Sequence, residues 1–249
     1  MSKPGVADWL ELSRAAKYLV GAPRLIQVFE WQECPHKLHT FTDSDWAGDR
    51  ETRRSTSGGA VTFGRHTLKT CATAQTALAL SSGEAELYAL VKGAAQSFGI
   101  MSMFADFGIA VNCTVCTDAS AAIGIVHRQG LAKTTHLEGQ YLWVQQVVSE
   151  GKLGVVKVGT DANPADLMTK HLRAEVANKH LEALRFYVAT GRAASAPALS
   201  ACSRNEGDDR WMRRDGAEVI ERRHHKPRFA LFTPIKIGRM PKTVVALGR

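Results

Sequence analysis

The chain has 249 residues, 45% of them hydrophobic and 22% charged, with a formal net charge of +8. That length is enough for one full core plus appendages, and the composition is that of an ordinary globular protein rather than a disordered or fibrous one. There is no apolar run near the ~18 residues of a membrane span and no apolar N-terminal segment, so the sequence reads as a soluble, intracellular protein without a membrane partner. The five cysteines are odd in number and scattered, which favours free thiols in a reducing compartment over a disulfide framework. Residues 1–170 carry 16 Lys+Arg and 16 Asp+Glu, whereas residues 171–249 carry 16 and 8, so the whole positive excess lies in the last third. A basic tail beside a neutral body fits a nucleic-acid partner, and it fits a solvated extension equally well.

In chain order, Asp8 to Val20 predicts an amphipathic helix, with Asp8 as N-cap, Glu11 three residues on, and Trp9, Leu12, Ala16, Leu19 and Val20 on one stripe before Gly21. Leu25 to Phe29 fits a short strand. The alternating run from Lys37 predicts a strand ending at Asp43, where a carboxylate can leave the sheet and face a cleft. A polar loop through Arg50, Arg53, Arg54, Ser55, Thr56, Ser57, Gly58 and Gly59 follows, then strands at Val61 to Phe63 and Thr67 to Cys71. Ser81 to Met103 holds the longest helical period, through Leu87, Leu90, Val91, Ala94, Phe98 and Met101, with Ser82 as N-cap. Val111 to Thr117 is a β-branched strand, Ala119 to Arg128 a short helix, and His136 to Glu150 a helix turning Leu137, Tyr141, Val144, Val147 and Val148 inward. Leu153 to Val158 closes the strands and a last helix opens near Pro164. This order predicts an α/β protein with a mixed sheet and helices on its faces. From Gly191 to Pro197 the chain reads as linker, and the remainder has no sustained period.

Four of these elements begin or end on acids: Asp43, the pair Glu84 and Glu86, Asp118, and Asp166. Separated carboxylates gathered at element ends are what two-metal phosphodiester hydrolysis requires, because two divalent ions ~4 Å apart activate a water and stabilise the departing alkoxide. Carboxylates without His or Cys ligands suit Mg²⁺, with Mn²⁺ as substitute, rather than zinc. Each acid has a structural alternative. Asp43 can be a turn acid beside Asp45 and Asp49, Asp118 and Asp166 can cap helices, and the helical wheel favours Glu84 slightly over Glu86. Cys113 and Cys116 form a C-x-x-C, but in a strand they face opposite ways and no second pair follows. Asp106-Phe107-Gly108 stands without the other kinase motifs and reads as a helix end. His136 reads as a structural residue opening its helix.

The segments Phe41-Thr42-Asp43-Ser44-Asp45-Trp46-Ala47-Gly48-Asp49, Arg54-Ser55-Thr56-Ser57-Gly58, Leu80-Ser81-Ser82-Gly83-Glu84-Ala85-Glu86, Thr117-Asp118 and Ala165-Asp166-Leu167-Met168-Thr169-Lys170 occur in that order. Together they resemble the ribonuclease H domain of copia-type LTR-retrotransposon Pol polyproteins. The resemblance implies an RNase H-like fold, a five-stranded mixed sheet flanked by helices, over residues 35–172. Residues 1–34 resemble the end of the reverse-transcriptase connection, a helix plus a short strand, and residues 173–249 are expected to form a helix and then a basic, disordered tail. It also implies a metal-dependent endonuclease that hydrolyses the RNA strand of RNA/DNA hybrids, with a catalytically silent nucleic-acid-binding remnant, or a DNA-cutting nuclease of the same fold, as the alternatives. By resemblance, Asp43, Glu86, Asp118 and Asp166 are the catalytic metal ligands for two Mg²⁺ ions. Asp43 would bridge the ions, Glu86 and Asp118 would hold the ion on the leaving-group side, and Asp166 would complete the site around the attacking water. The family register Glu86-Leu87-Tyr88-Ala89 selects Glu86 over Glu84. Arg50, Arg53, Arg54, Ser55, Thr56 and Ser57 are candidates for holding substrate phosphates, with a solvated loop as the alternative. The expected partners are an RNA/DNA hybrid and the reverse-transcriptase part of the same polyprotein. Cellular ribonucleases H carry a His-bearing loop before the last acid, whereas here residues 159–163 contain no His.

Overall fold

A computed structural model describes residues 5–128 and 139–191. His136, Leu137 and the basic tail from residue 192 lie outside them.

The first helix, α1 (Val6–Gly21), is capped three residues earlier than its sequence suggests. Gly5 is the N-cap, and Asp8 sits at the third helical position, its carboxylate accepting the Gly5 N–H at 2.7 Å. The negative charge is thus inside the first turn, where it meets the exposed helix N–H groups. The apolar stripe exists, but none of it is buried: Trp9, Leu12, Leu19 and Val20 all face solvent among the described residues.

Strand β1 (Arg24–Gln27) pairs antiparallel with β7 (Phe186–Ala189), forming a separate two-stranded sheet. The second partner has no period strong enough to read in sequence. The main sheet holds β2 (Lys37–Asp45), β3 (Thr56–Phe63), β4 (His66–Ala74), β5 (Asn112–Thr117) and β6 (Leu153–Lys157), in the order β4-β3-β2-β5-β6. β4-β3-β2 is antiparallel and β2-β5-β6 parallel, so the sheet is mixed. The parallel half needs crossovers, which α2 (Ser82–Asp106) supplies between β4 and β5, and α3 (Ser120–Val126) with α4 (Gly139–Ser149) between β5 and β6. The α/β architecture implied by the resemblance, a five-stranded mixed sheet flanked by helices, is met.

The core lies between this sheet and its helices. Leu38, Val61, Val115 and Leu153 from the strands meet Leu87 and Leu90 of α2 and Tyr141 and Val144 of α4. At Gly93, α2 approaches β2 so closely that a Cβ would stand 2.4 Å from Thr42 Cγ2. The approach is held by a buried Thr40–Ser97 hydroxyl hydrogen bond of 2.6 Å.

Several boundaries move from their sequence positions. Ser81, not Ser82, caps α2, because its extended backbone lets Oγ accept the Glu84 N–H at 3.2 Å. Thr56 to Gly59 belong to β3 rather than to the polar loop. Small polar residues and glycines signal a loop locally, but here they serve close packing on a paired strand. Pro164 opens a 3-10 turn, Pro164–Met168, and the α-helix proper, α5 (Ala174–Ala183), follows only after a break.

Candidate metal centre

The acids converge where the two central strands part. β2 and β5 pair in parallel as far as Phe41 and Cys116. Beyond that point β2 keeps only its β3 partner, Asp43 opposite Gly58, and β5 ends at Thr117, one residue before Asp118. Asp43 therefore lies within a strand that runs on to Asp45 rather than at its terminus. It faces the opening because β5, not β2, has ended. Glu86 comes from the second turn of α2, and its Oε1 accepts the Ser44 N–H at 3.2 Å. One carboxylate oxygen from each of Asp43, Glu86 and Asp118 lies within 4.8 Å of the others. Glu86 Oε2 is buried and has no hydrogen-bond partner among the described residues.

Asp166 is not in that group of three and meets Asp43 through Lys170. Asn163 is fully buried and caps the 3-10 turn by accepting the Ala165 N–H at 3.2 Å. Its Nδ2 donates to Thr42 O at 2.9 Å, fastening the turn to the strand one residue before Asp43. At Gly58 of β3 a Cβ would lie 2.9 Å from Met168 Cβ and 3.0 Å from Ala165 O, so the turn can sit this close only over glycine. From that seat Lys170 Nζ reaches Asp43 Oδ1 and Asp166 Oδ1, each at 3.0 Å. The Thr169 hydroxyl donates to Asp43 Oδ2.

Burial and crowding govern the charges. Removal from water, then the neighbouring Asp43 and Asp118 charges, push the Glu86 carboxyl up to about 7. Burial also raises Asp43, outweighing the hydrogen bonds from Thr169 and Lys170 because the carboxylate is wholly enclosed. For Lys170, burial opposes the charge, but the bonds to Asp166 and Asp43 win and hold its proton above the ordinary lysine range. Three carboxylates sharing one opening, one oxygen of Glu86 unpartnered, fit a hard divalent cation: the donors are all oxygen, and a cation would offset the repulsion that raises Glu86.

The competing readings of the acids separate in this geometry. Glu84 accepts from Leu80 N–H at 2.8 Å and from the Tyr88 hydroxyl at 3.0 Å, which turns it to the helix start and away from the cluster. Asp118 does not cap α3, whose N-cap is Ala119 with no side-chain cap bond. Asp166 does not cap its turn either, since Asn163 does. Arg50, Arg53 and Arg54 are exposed in the loop after β2. Ser55, Thr56 and Ser57 follow where the loop passes into β3, Thr56 half-buried and the two serines buried. Ser55 is buried, its Oγ accepting Ala47 N–H at 2.9 Å; Thr56 N–H donates to Asp45; Ser57 Oγ accepts from Gln75 Nε2 at 2.9 Å in the interior. Cys113 and Cys116 are buried free thiols whose pKa values burial pushes to about 11, far from metal-ligating thiolates. Asp106-Phe107-Gly108 is the end of α2, with Gly108 at φ +75°. Asn163, Thr169 and Lys170 also reach the Asp43 strand, and the sequence marks them only by their nearness to Asp166.

In sequence the chain is similar to retrovirus-related Pol polyproteins of plant transposons. The chain is similar to that of transposon TNT 1-94 of Nicotiana tabacum, 28% identical over 172 residues, covering 68% of this chain and 13% of the polyprotein. It is also similar to that of transposon RE2 of Arabidopsis thaliana, 29% identical over 175 residues, covering 69% of this chain and 12% of the polyprotein. The chain thus spans only about an eighth of these relatives' length. No family model matches it. Among solved structures, LC11-RNase H1 isolated from compost is 18% identical with a TM-score of 0.41, covering 59% of this chain and 96% of that one.

Proposed function

We propose that the chain is a metal-dependent endonuclease that hydrolyses the RNA strand of RNA/DNA hybrids, derived from a copia-type retrotransposon Pol polyprotein and acting inside the cell. The observation that carries the reading is the meeting of Asp43, Glu86 and Asp118 oxygens within 4.8 Å at the end of the central strands, with Glu86 Oε2 buried and unpartnered. Asp43, Glu86, Asp118 and Asp166 are the proposed ligands for two Mg²⁺ ions, with Mn²⁺ as substitute. Bound there, the ions would supply an activated water and a Lewis acid for the leaving oxygen. The chain's own part is positional. Asp43 and Asp118 fix the centre at the end of the sheet, Glu86 is oriented by the Ser44 N–H, and Asn163 holds the Asp166 turn against β2. Arg50, Arg53 and Arg54 are exposed where they can meet substrate phosphates, and selection for RNA requires contact with 2′-hydroxyls. The reverse-transcriptase part of a longer polyprotein is the proposed neighbour, and residues 1–34 and 173–249 flank a catalytic domain at 35–172.

The test is substrate choice. The full chain is incubated with a labelled RNA/DNA hybrid, a matched DNA duplex and a matched RNA duplex, in Mg²⁺ and in EDTA. Cleavage of the hybrid's RNA strand in Mg²⁺ only is expected. Binding of the hybrid without cleavage would favour a silent nucleic-acid-binding remnant, and cleavage of duplex DNA would favour a different nuclease.

A further inference from the structure

Lys170 is placed with unusual care for a lysine. The turn that carries it is pinned by Asn163 to Thr42 O and seated over Gly58, and its ammonium lies 3.0 Å from one oxygen of Asp43 and 3.0 Å from one oxygen of Asp166. Both carboxylates are enclosed, with side-chain exposures of 1% and 7%, whereas the lysine side chain is 38% exposed. An ion bridging Asp43 and Asp166 would need the same volume, since Mg²⁺ sits about 2.0–2.1 Å from its oxygens. Two cations cannot share it. Among the described residues no lysine is ion-paired to Glu86 or Asp118, and Glu86 keeps an unpartnered oxygen.

We infer that Lys170 is a resident counter-ion holding the Asp43–Asp166 side of the centre, so that without nucleic acid the protein takes one divalent ion, on Asp43, Glu86 and Asp118. This rests on the reading of the acid cluster as a metal centre. A second ion then joins only once bound nucleic acid draws the ammonium away through its exposed side. Lys170 is on this account a positioning residue that sets the number of ions, not a group that touches the reacting atoms.

The experiment counts ions and needs no activity. Mn²⁺ is titrated into the full 249-residue chain without nucleic acid, and bound ion is measured from loss of the free-ion EPR signal. Only the Mn²⁺ that excess Mg²⁺ displaces is counted, which leaves out imidazole and thiolate sites. One ion per chain is expected for wild type and for Lys170→Arg, and two for Lys170→Met. Two ions on the wild type, or one on a folded Lys170→Met, overturn the inference while leaving the cluster a metal centre. Asp166→Asn provides a second variant should Lys170→Met fail to fold: it should still hold one ion, and a count of zero overturns the placement on Asp43, Glu86 and Asp118. A wild-type count of zero overturns the metal-centre reading itself, and the inference falls with it.

Discussion

At the scale of single residues, Glu86 carries the sharpest consequences. Its folded pKa of about 7 stands above the ordinary 4.5. Between those two pH values the metal-free folded chain keeps a proton that the unfolded chain has released, so stability falls as pH rises through that window and stays low above it. Glu86→Gln removes the titration. The metal-free variant should melt at a higher temperature than wild type at pH 8 and close to it at pH 4.5, as calorimetry in EDTA would measure. A wild-type melting temperature that rises between pH 5 and pH 7.5 relative to Glu86→Gln would contradict the burial of this carboxyl. In Mg²⁺ the order of merit reverses. Glu86→Gln should lose most hybrid cleavage, while Glu84→Gln, which alters only the start of α2, should retain most of it. Which glutamate joins Asp43 and Asp118 is not legible in periodicity, because both flank the apolar stripe. Bonds to Leu80 and Tyr88 hold Glu84 at the helix start, and the Ser44 N–H holds Glu86 beside the other two acids.

At the scale of elements, the seating of the Pro164–Met168 turn on β3 determines whether Asp166 and Lys170 reach Asp43 at all. Gly58→Ala would place a Cβ 2.6 Å from Thr169 Cγ2 and 2.9 Å from Met168 Cβ. Overpacking of this kind costs about 1–3 kcal/mol, so the variant should melt earlier and cleave more slowly, by thermal shift and initial rate. An unchanged melting temperature would show that the turn does not depend on this contact. The strands and the long helix were legible because their apolar residues repeat with a clear period, as in Leu87, Leu90 and Ala94. The start of β3 was not, since Thr56-Ser57-Gly58-Gly59 carries a turn composition and its strand identity comes from pairing with β2 and β4. The exposed stripe of α1 shows the converse. Its period predicts a helix correctly, yet a period does not say what the helix meets, and among the described residues Trp9, Leu12 and Leu19 meet nothing that buries them.

At the scale of the whole molecule, β7 pairs with β1, so the folded part reaches at least to Ala189. Residues 192–249 then hold 13 Lys+Arg against 6 Asp+Glu, while residues 1–191 are close to neutral. Each phosphate neutralised by Lys or Arg steepens the fall of affinity with salt by about 0.9 log units per log unit on B-DNA, and a hybrid should behave comparably. A chain truncated after Gly191 should keep Mg²⁺-dependent cleavage at saturating hybrid but bind with a shallower salt slope than the full chain. Equal slopes would make the tail's charge a solvated extension. No helix among the described residues is long and apolar enough to cross a membrane.

The central claim, that the meeting point of Asp43, Glu86 and Asp118 is where divalent ions cut RNA paired to DNA, is tested most directly by Asp118→Asn. Asp118 is only partly buried and makes no cap bond to α3, and the amide keeps its shape. Losing its charge should remove a share of the metal contribution, about 4 kcal/mol or roughly a thousandfold in rate. The measurement is the single-turnover rate of hybrid cleavage in Mg²⁺ for the wild type and for Asp118→Asn, with thermal melting of both in EDTA. A loss on the order of a thousandfold with an unchanged melting transition is the predicted result; near wild-type cleavage by Asp118→Asn would contradict it.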